Sequence, residues 1–269
     1  MSRPKFHIAR AQTILAASKR VLFVEGKDDE AVYAKWLFKI DPLFGNRLGI
    51  VVTDGRNDLD ISLASLGHPI DAFAFRDRDE WDAARISSMQ GANPRLLVNP
   101  NRHSIESYFC DPDELVTVLL AQDAAKYGPS ETTLRAALSA PLADWVDHWS
   151  MWTTAMRLQS DMVSVGYSSY FHDILPLPPD PDVQSRLDSW SQLADSSRVW
   201  TSFLALRADE RTKPTSEKHR SCVHGKKFWE QVVLPALRTV ENRGDWLIDL
   251  ADWSSIPPDL EPLLRSVLV

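Results

Sequence analysis

Cysteine is scarce in this chain: 2 in 269 residues, Cys110 and Cys222. That excludes a disulfide framework and any zinc site built mainly from cysteine. Long apolar runs are missing as well. No stretch approaches the roughly 18 consecutive apolar residues of a membrane span, and the opening MSRPKFHIARAQ has no apolar segment of a secretory signal. A cytoplasmic protein with no membrane contact is the expectation. Excess positive charge is absent too. The formal net charge is −7, which argues against tight, non-specific duplex binding driven by Lys and Arg on phosphates. Nucleic-acid chemistry is not thereby excluded. A site that gathers carboxylates around divalent ions is itself acidic, and the ions reverse its local sign. There is no GxxxxGK[ST], hence no ATP-binding phosphate loop, and no Gly-x-Ser-x-Gly.

What is present is the composition of an ordinary globular protein, 44% hydrophobic and 25% charged. Such a chain can build a core without covalent staples. Its 10 Trp lie mostly beyond the first third. They suit a helical core, with base stacking as the alternative use.

Two regions differ in pattern. Up to about residue 101, short apolar runs alternate with helical periodicity. The runs Arg20–Glu25, Leu48–Thr53, Asp71–Phe75 and Arg95–Val98 read as strands. Lys27–Phe38 and Leu59–Leu66 read as helices between them. This alternation predicts an α/β fold, a parallel sheet flanked by helices with right-handed crossovers. Asp111-Pro112-Asp113-Glu114 then reads as a helix start, with Asp as cap and Pro in the first turn. Helical spacing runs from Leu115 to Trp152 and from Arg186 to Leu206, with a proline-rich linker at 176–181 between them. Lys213–Ser221 is polar and reads as a loop. Phe228–Val240 reads as a helix bent near Pro235. The expected division is 1–110 for the α/β domain and 111–269 for a mostly helical region whose end could pack back on the first.

In parallel α/β sheets, ligands bind beyond the carboxyl ends of the strands. The first strand ends in Glu25-Gly26, and the third runs into Asp77-Arg78-Asp79. Two carboxylates two residues apart on extended chain point to one side, and clustered oxygen ligands suit hard cations. Gly26 is expected to permit a tight turn beside Glu25.

VLFVEGKDDEAVY resembles the first motif of Toprim domains, and DAFAFRDRDEW resembles the second, with VVTDGRND similar to the strand and Gly-containing turn between. HSIESYF is similar to the third acidic element of OLD-type (overcoming lysogenisation defect) nucleases and of Toprim effectors of PARIS-type anti-phage defence systems. The resemblance covers about the first 110 residues and, weakly, SCVHGKKFW. It implies a Toprim-like fold and a nuclease requiring Mg²⁺ or Mn²⁺. Carried over, Glu25 is a metal ligand or general acid/base, and Asp29 a helix-borne ligand, with Asp28 the alternative. Asp77 and Asp79 hold metal from the third strand, Glu106 beside Ser104 completes a second position, and Lys226 contacts phosphate. The logic is two-metal phosphoryl transfer, one ion activating water and the other stabilising the leaving oxygen. Implied partners are DNA or RNA, tRNA included, an ABC-type ATPase in trans and a second copy of the chain. Toxicity restrained by a partner belongs to the same expectation.

The same residues also have plain structural uses. Glu25, Asp28 and Asp29 are acids near a helix start, where the dipole favours them. Asp77 and Asp79 sit among Arg76 and Arg78 and could form a salt-linked turn. Glu106 alone is as well explained by structure, His103 as a polar loop residue, and Lys226 and Lys227 as a solvated turn. Cys222-x-His224, with His219 nearby, lacks the paired spacing of a zinc site. A non-catalytic interaction module on a degenerate Toprim fold is the competing function.

Overall fold

The computed structural model describes residues 6–53, 55, 57–79, 81, 83–167 and 180–269. These form one four-stranded parallel sheet and a large helical assembly. The strands are β1 (Arg20–Val24), β2 (Leu48–Val52), β3 (Ala72–Arg76) and β4 (Leu96–Val98), ordered β2-β1-β3-β4. Register pairs Leu22 with Ile50 on one side and with Phe73 on the other. The helices of this part are α1 (Phe6–Ala16), α2 (Lys27–Ile40), α3 (Asn57–Ser65) and α4 (Ala83–Ala92).

Strand alternation sorts the core into two faces. Leu22, Val24, Leu48, Ile50, Phe73, Phe75 and Leu97 face α2, where Val32, Tyr33, Trp36 and Leu37 are buried. Val21, Phe23, Val51, Ala72, Ala74, Leu96 and Val98 face Ala11 of α1, Leu59 and Leu63 of α3 and Ile86 of α4. Both faces are covered, which is why the strands read as continuous apolar runs. Because α2 and α3 lie on opposite faces and β1 has β2 on one side and β3 on the other, the winding reverses between β1 and β3. That reversal point, at the carboxyl ends, is where such sheets leave a crevice.

The remaining helices are α5 (Pro112–Tyr127), α6 (Glu131–Ser139), α7 (Leu142–Ser164), α8 (Asp180–Leu193), α9 (Ser196–Thr212), α10 (Thr215–Ser221), α11 (Gly225–Phe228), α12 (Leu234–Val240), α13 (Trp246–Trp253) and α14 (Glu261–Ser266). Asp111 caps α5 as expected, its carboxylate accepting from the Asp113 N–H at 2.9 Å. Residues 176–179 of the proline-rich stretch, and residues 54 and 56 after β2, lie outside the described residues; Asp180 and Pro181 open α8. The expected helix Arg186–Leu206 is broken at Ala194-Asp195, where Asp195 caps α9 by accepting from the Arg198 N–H at 2.8 Å.

Lys213–Ser221 is largely helix α10, not a loop. Tertiary ion pairs, invisible to local composition, hold it: Arg220 reaches Asp111 at 3.0 Å and Glu114 at 2.9 Å, and His219 is fully buried. The expected bend near Pro235 is a π-helical turn, Trp229–Val233, placed just before that proline. Pro235 has no N–H to donate back to the preceding turn, and a wide turn accommodates the loss.

The α2 face continues into the helical part as one apolar cluster that includes Phe109, Leu115, Trp229, Trp246 and Leu250. Trp36, Trp149, Trp190, Trp229 and Trp246 are buried, whereas Trp152 and Trp200 are 39% and 54% exposed. Among the described residues, no helix is long and apolar enough to cross a membrane.

Candidate functional site

Glu25 follows the last residue of β1, and Asp77 the last residue of β3. The parallel pairing of these strands brings the two together at the reversal point. The Asp77 backbone N–H donates to Glu25 Oε1 at 3.3 Å. Asp29 is the third residue of α2, and its Oδ2 accepts from the Gly26 N–H at 2.7 Å. This is the capping-box use of an acid, here by Asp in place of the usual Glu or Gln. Gly26 does not serve the turn that its position suggested. Its φ of −139° is extended backbone open to any residue. What it supplies is room, since a Cβ there would stand 3.3 Å from Asp29 Oδ2.

Glu106 enters from a 3-10 turn, Ile105–Phe109, all of whose residues are buried. Gly225, at the start of α11, presses on this turn. A Cβ on Gly225 would lie 2.0 Å from Ser107 Oγ and 2.7 Å from Ser104 Oγ. That approach sets the exposed Lys226 beside Glu106, whose charge it favours. The SCVHGKKFW segment and the turn that carries Glu106 are thus one construction.

The carboxylates act on one another. Burial, then Glu106 and Glu25, raise the Asp29 pKa from 3.8 to about 7. Burial, then Asp29, Glu106 and Glu25, hold Asp77 well above the carboxylate range. Glu106 is raised by burial, against the opposing pull of Ser104 and Lys226. Asp28 stands at the exposed margin. Tyr33, buried behind the cluster, is raised by burial and by Asp77, Asp29 and Glu25.

Asp79 departs from expectation. It does not share an extended strand with Asp77, since β3 ends at Arg76 and Asp79 is left-handed, with φ 51°. Asp is among the few residues that adopt this conformation readily. The Asp79 N–H donates to the His103 carbonyl at 3.1 Å, and its side chain borders a cleft of about 680 Å³ rather than joining the centre of the cluster. The neighbouring arginines point elsewhere: Arg78 donates to the Trp81 and Pro100 carbonyls, and Arg76 reaches Asp60 at 3.3 Å and covers Trp81.

His103 is buried, not a solvated loop residue. Its ring packs 4.5 Å from His224 and 4.9 Å from Trp149, centroid to centroid. His219 is buried against Phe228, and burial lowers its pKa to about 4. Cys222 Sγ lies 2.6 Å from Glu210 Oε2, which with burial raises the thiol to about 12. A protonated, buried thiol is a poor metal ligand.

No protein-family model matches this chain, and no curated protein matches it.

The side chains of Glu25, Asp29, Asp77 and Glu106 offer oxygen atoms only, the donor chemistry that a hard divalent cation takes. Among the described residues, no three His, Cys, Asp or Glu side chains form a ready-made ion cage. Two of the carboxylates hold backbone N–H groups instead, Glu25 that of Asp77 and Asp29 that of Gly26.

Proposed function

We propose that the chain is a Toprim-like endonuclease that uses Mg²⁺ or Mn²⁺ to cleave DNA or RNA. The observation that carries the reading is the meeting of Glu25 and Asp77 at the sheet's reversal point, joined electrostatically by Asp29 and Glu106. Burial and neighbouring acids raise Asp29 and Asp77, and perturbed carboxylates gathered in this way mark a working site. Glu25, Asp29, Asp77 and Glu106 would hold the cation, with Asp79 at its edge. A divalent ion bound there would supply electrostatic stabilisation of charge developing on phosphate. Glu25, half-buried at the strand end, holds or takes a proton at its carboxylate. Lys226, exposed beside Glu106, is placed to meet a phosphate oxygen. The net charge of −7 leaves the chain a weak hold on nucleic acid. Presentation of the substrate by a second copy or by an ABC-type ATPase in trans, as in a restrained anti-phage toxin, belongs to the same proposal.

One observation favours the competing reading of a non-catalytic module: Asp29 and Glu25 already have backbone partners. Cleavage of plasmid DNA and of total tRNA, with Mg²⁺ or Mn²⁺, separates the two. Wild type cuts one substrate, and Glu25→Gln, nearly isosteric, loses at least 100-fold in rate, in the range of roughly 10²–10⁴ for acid–base groups. Equal behaviour of the two proteins in every condition, including toxicity on expression, favours the module.

A further inference from the structure

A second cavity, of about 390 Å³, borders the segment that carries Lys226. Asp144, Trp145, His148 and Trp152 of α7 form one wall, and His224, Lys227 and Gln231 the other. The volume falls within the roughly 300–1,000 Å³ of small-molecule sites. Its lining is aromatic to an unusual degree. Trp152 and His224 pack at 5.6 Å and Trp145 and His148 at 5.5 Å between centroids. Trp152 remains 39% exposed, although α7 buries Val146, Trp149, Ser150 and Thr153 on its core side. An indole left open beside imidazole edges offers a stacking face with hydrogen-bonding atoms around it. Burial lowers the His224 pKa, so near neutral pH its ring both donates and accepts.

The cavity is tied to the acid cluster through short links. His224 packs on His103 at 4.5 Å, and the His103 carbonyl takes the Asp79 N–H. Gly225 presses on Ser104 and Ser107, and Lys226 faces Glu106. Residues 224–227 therefore present the cavity at His224 and Lys227 and the acids at Lys226. The larger cleft beside Asp79 also carries aromatic rings, Trp81, His103 and Trp149, but three of its cations are matched by acids, Arg102 by Glu114, Arg220 by Asp111 and Lys213 by Glu210, which lowers its net attraction for a polyanion.

We propose that the aromatic cavity receives an unpaired base of the nucleic-acid strand whose phosphate lies against the acid cluster. The inference rests on the nuclease reading and deepens it: the substrate is unpaired, or becomes so, next to the cleaved bond. Aromatic platforms hold bases by stacking regardless of sequence; Lys226 flanks the path of the backbone, and Lys227, paired with Glu230 at 2.9 Å, stands at the cavity rim.

The test is fluorescence anisotropy of the full chain with labelled single-stranded octanucleotides of DNA and RNA, in EDTA so that nothing is cut. The base-containing strand binds wild type about tenfold or more tightly than an abasic strand of equal length and charge. Trp152→Ala loses that advantage, Trp152→Phe keeps most of it, and Trp200→Ala, at an exposed indole outside the cavity, is unchanged. Equal binding of abasic and normal strands, no binding by wild type, an unaffected Trp152→Ala, or displacement by a nucleoside monophosphate at the strand's own concentration would each overturn the proposal. The two readings fail separately. Base-dependent binding without cleavage in Mg²⁺ or Mn²⁺ removes the nuclease and leaves the base site; cleavage with base-independent binding does the reverse.

Discussion

Asp29 caps the start of α2 through the Gly26 N–H and also sits in the field of Glu106, Glu25 and Asp28. The second role has a measurable consequence. Its folded pKa of about 7 lies above the ordinary 3.8, so between these values the folded chain binds more protons than the unfolded chain. Stability from this group is therefore lost as pH rises from about 4 to about 7. Without divalent cations, Asp29→Asn should equal wild type near pH 4 and exceed it near pH 8, by on the order of 1–3 kcal/mol in urea unfolding. The amide oxygen can still accept from Gly26, so the cap survives. A variant less stable than wild type at pH 8 would mean that the cap outweighs the repulsion. Glu25 and Asp77 were legible as acids at strand ends, because apolar runs that stop at a charge mark those ends. The left-handed Asp79 was not, since nothing local distinguishes it from an extended continuation. Nor was the aromatic setting of His103, which is made by side chains far away in sequence.

Helix α11 is short, and tertiary contact fixes its position. Gly225 is where that contact is tightest. Gly225→Ala places a methyl 2.0 Å from Ser107 Oγ, so α11 must withdraw from the Ile105–Phe109 turn. The expected loss is about 1–3 kcal/mol, as for other overpacked sites, with Lys226 carried away from Glu106. Adding Ser107→Ala removes the nearest atom and should restore part of the stability; no restoration would place the clash elsewhere. The sheet and α2, α3 and α5 were legible because period and capping act locally. Helix α10 was not. Its buried face is His219 and its anchors are the ion pairs of Arg220 with Asp111 and Glu114. A polar heptapeptide held by partners at the start of α5 looks like a loop when read alone.

At the scale of the molecule, one apolar cluster runs from Leu22 and Trp36 through Leu115 and Trp229 to Leu250 and Leu264. Lys39 of α2 also donates to the Ala251 carbonyl at 2.7 Å. Leu250→Ala, at a fully buried site of α13, should cost about 2–5 kcal/mol. Far-ultraviolet circular dichroism and Trp fluorescence should then shift together in denaturant, as one cooperative unit requires. Separate transitions would show that α13 and the sheet unfold independently. The central claim concerns the acids at the sheet's reversal point, and calorimetric titration with Mn²⁺ addresses it directly. The account predicts saturable binding near pH 6.5 whose heat varies with the buffer, because a cation displaces protons from Asp29 and its neighbours. It also predicts loss of that binding in Asp77→Asn with the fold retained. Absence of binding by wild type, or unchanged affinity in Asp77→Asn, would contradict it.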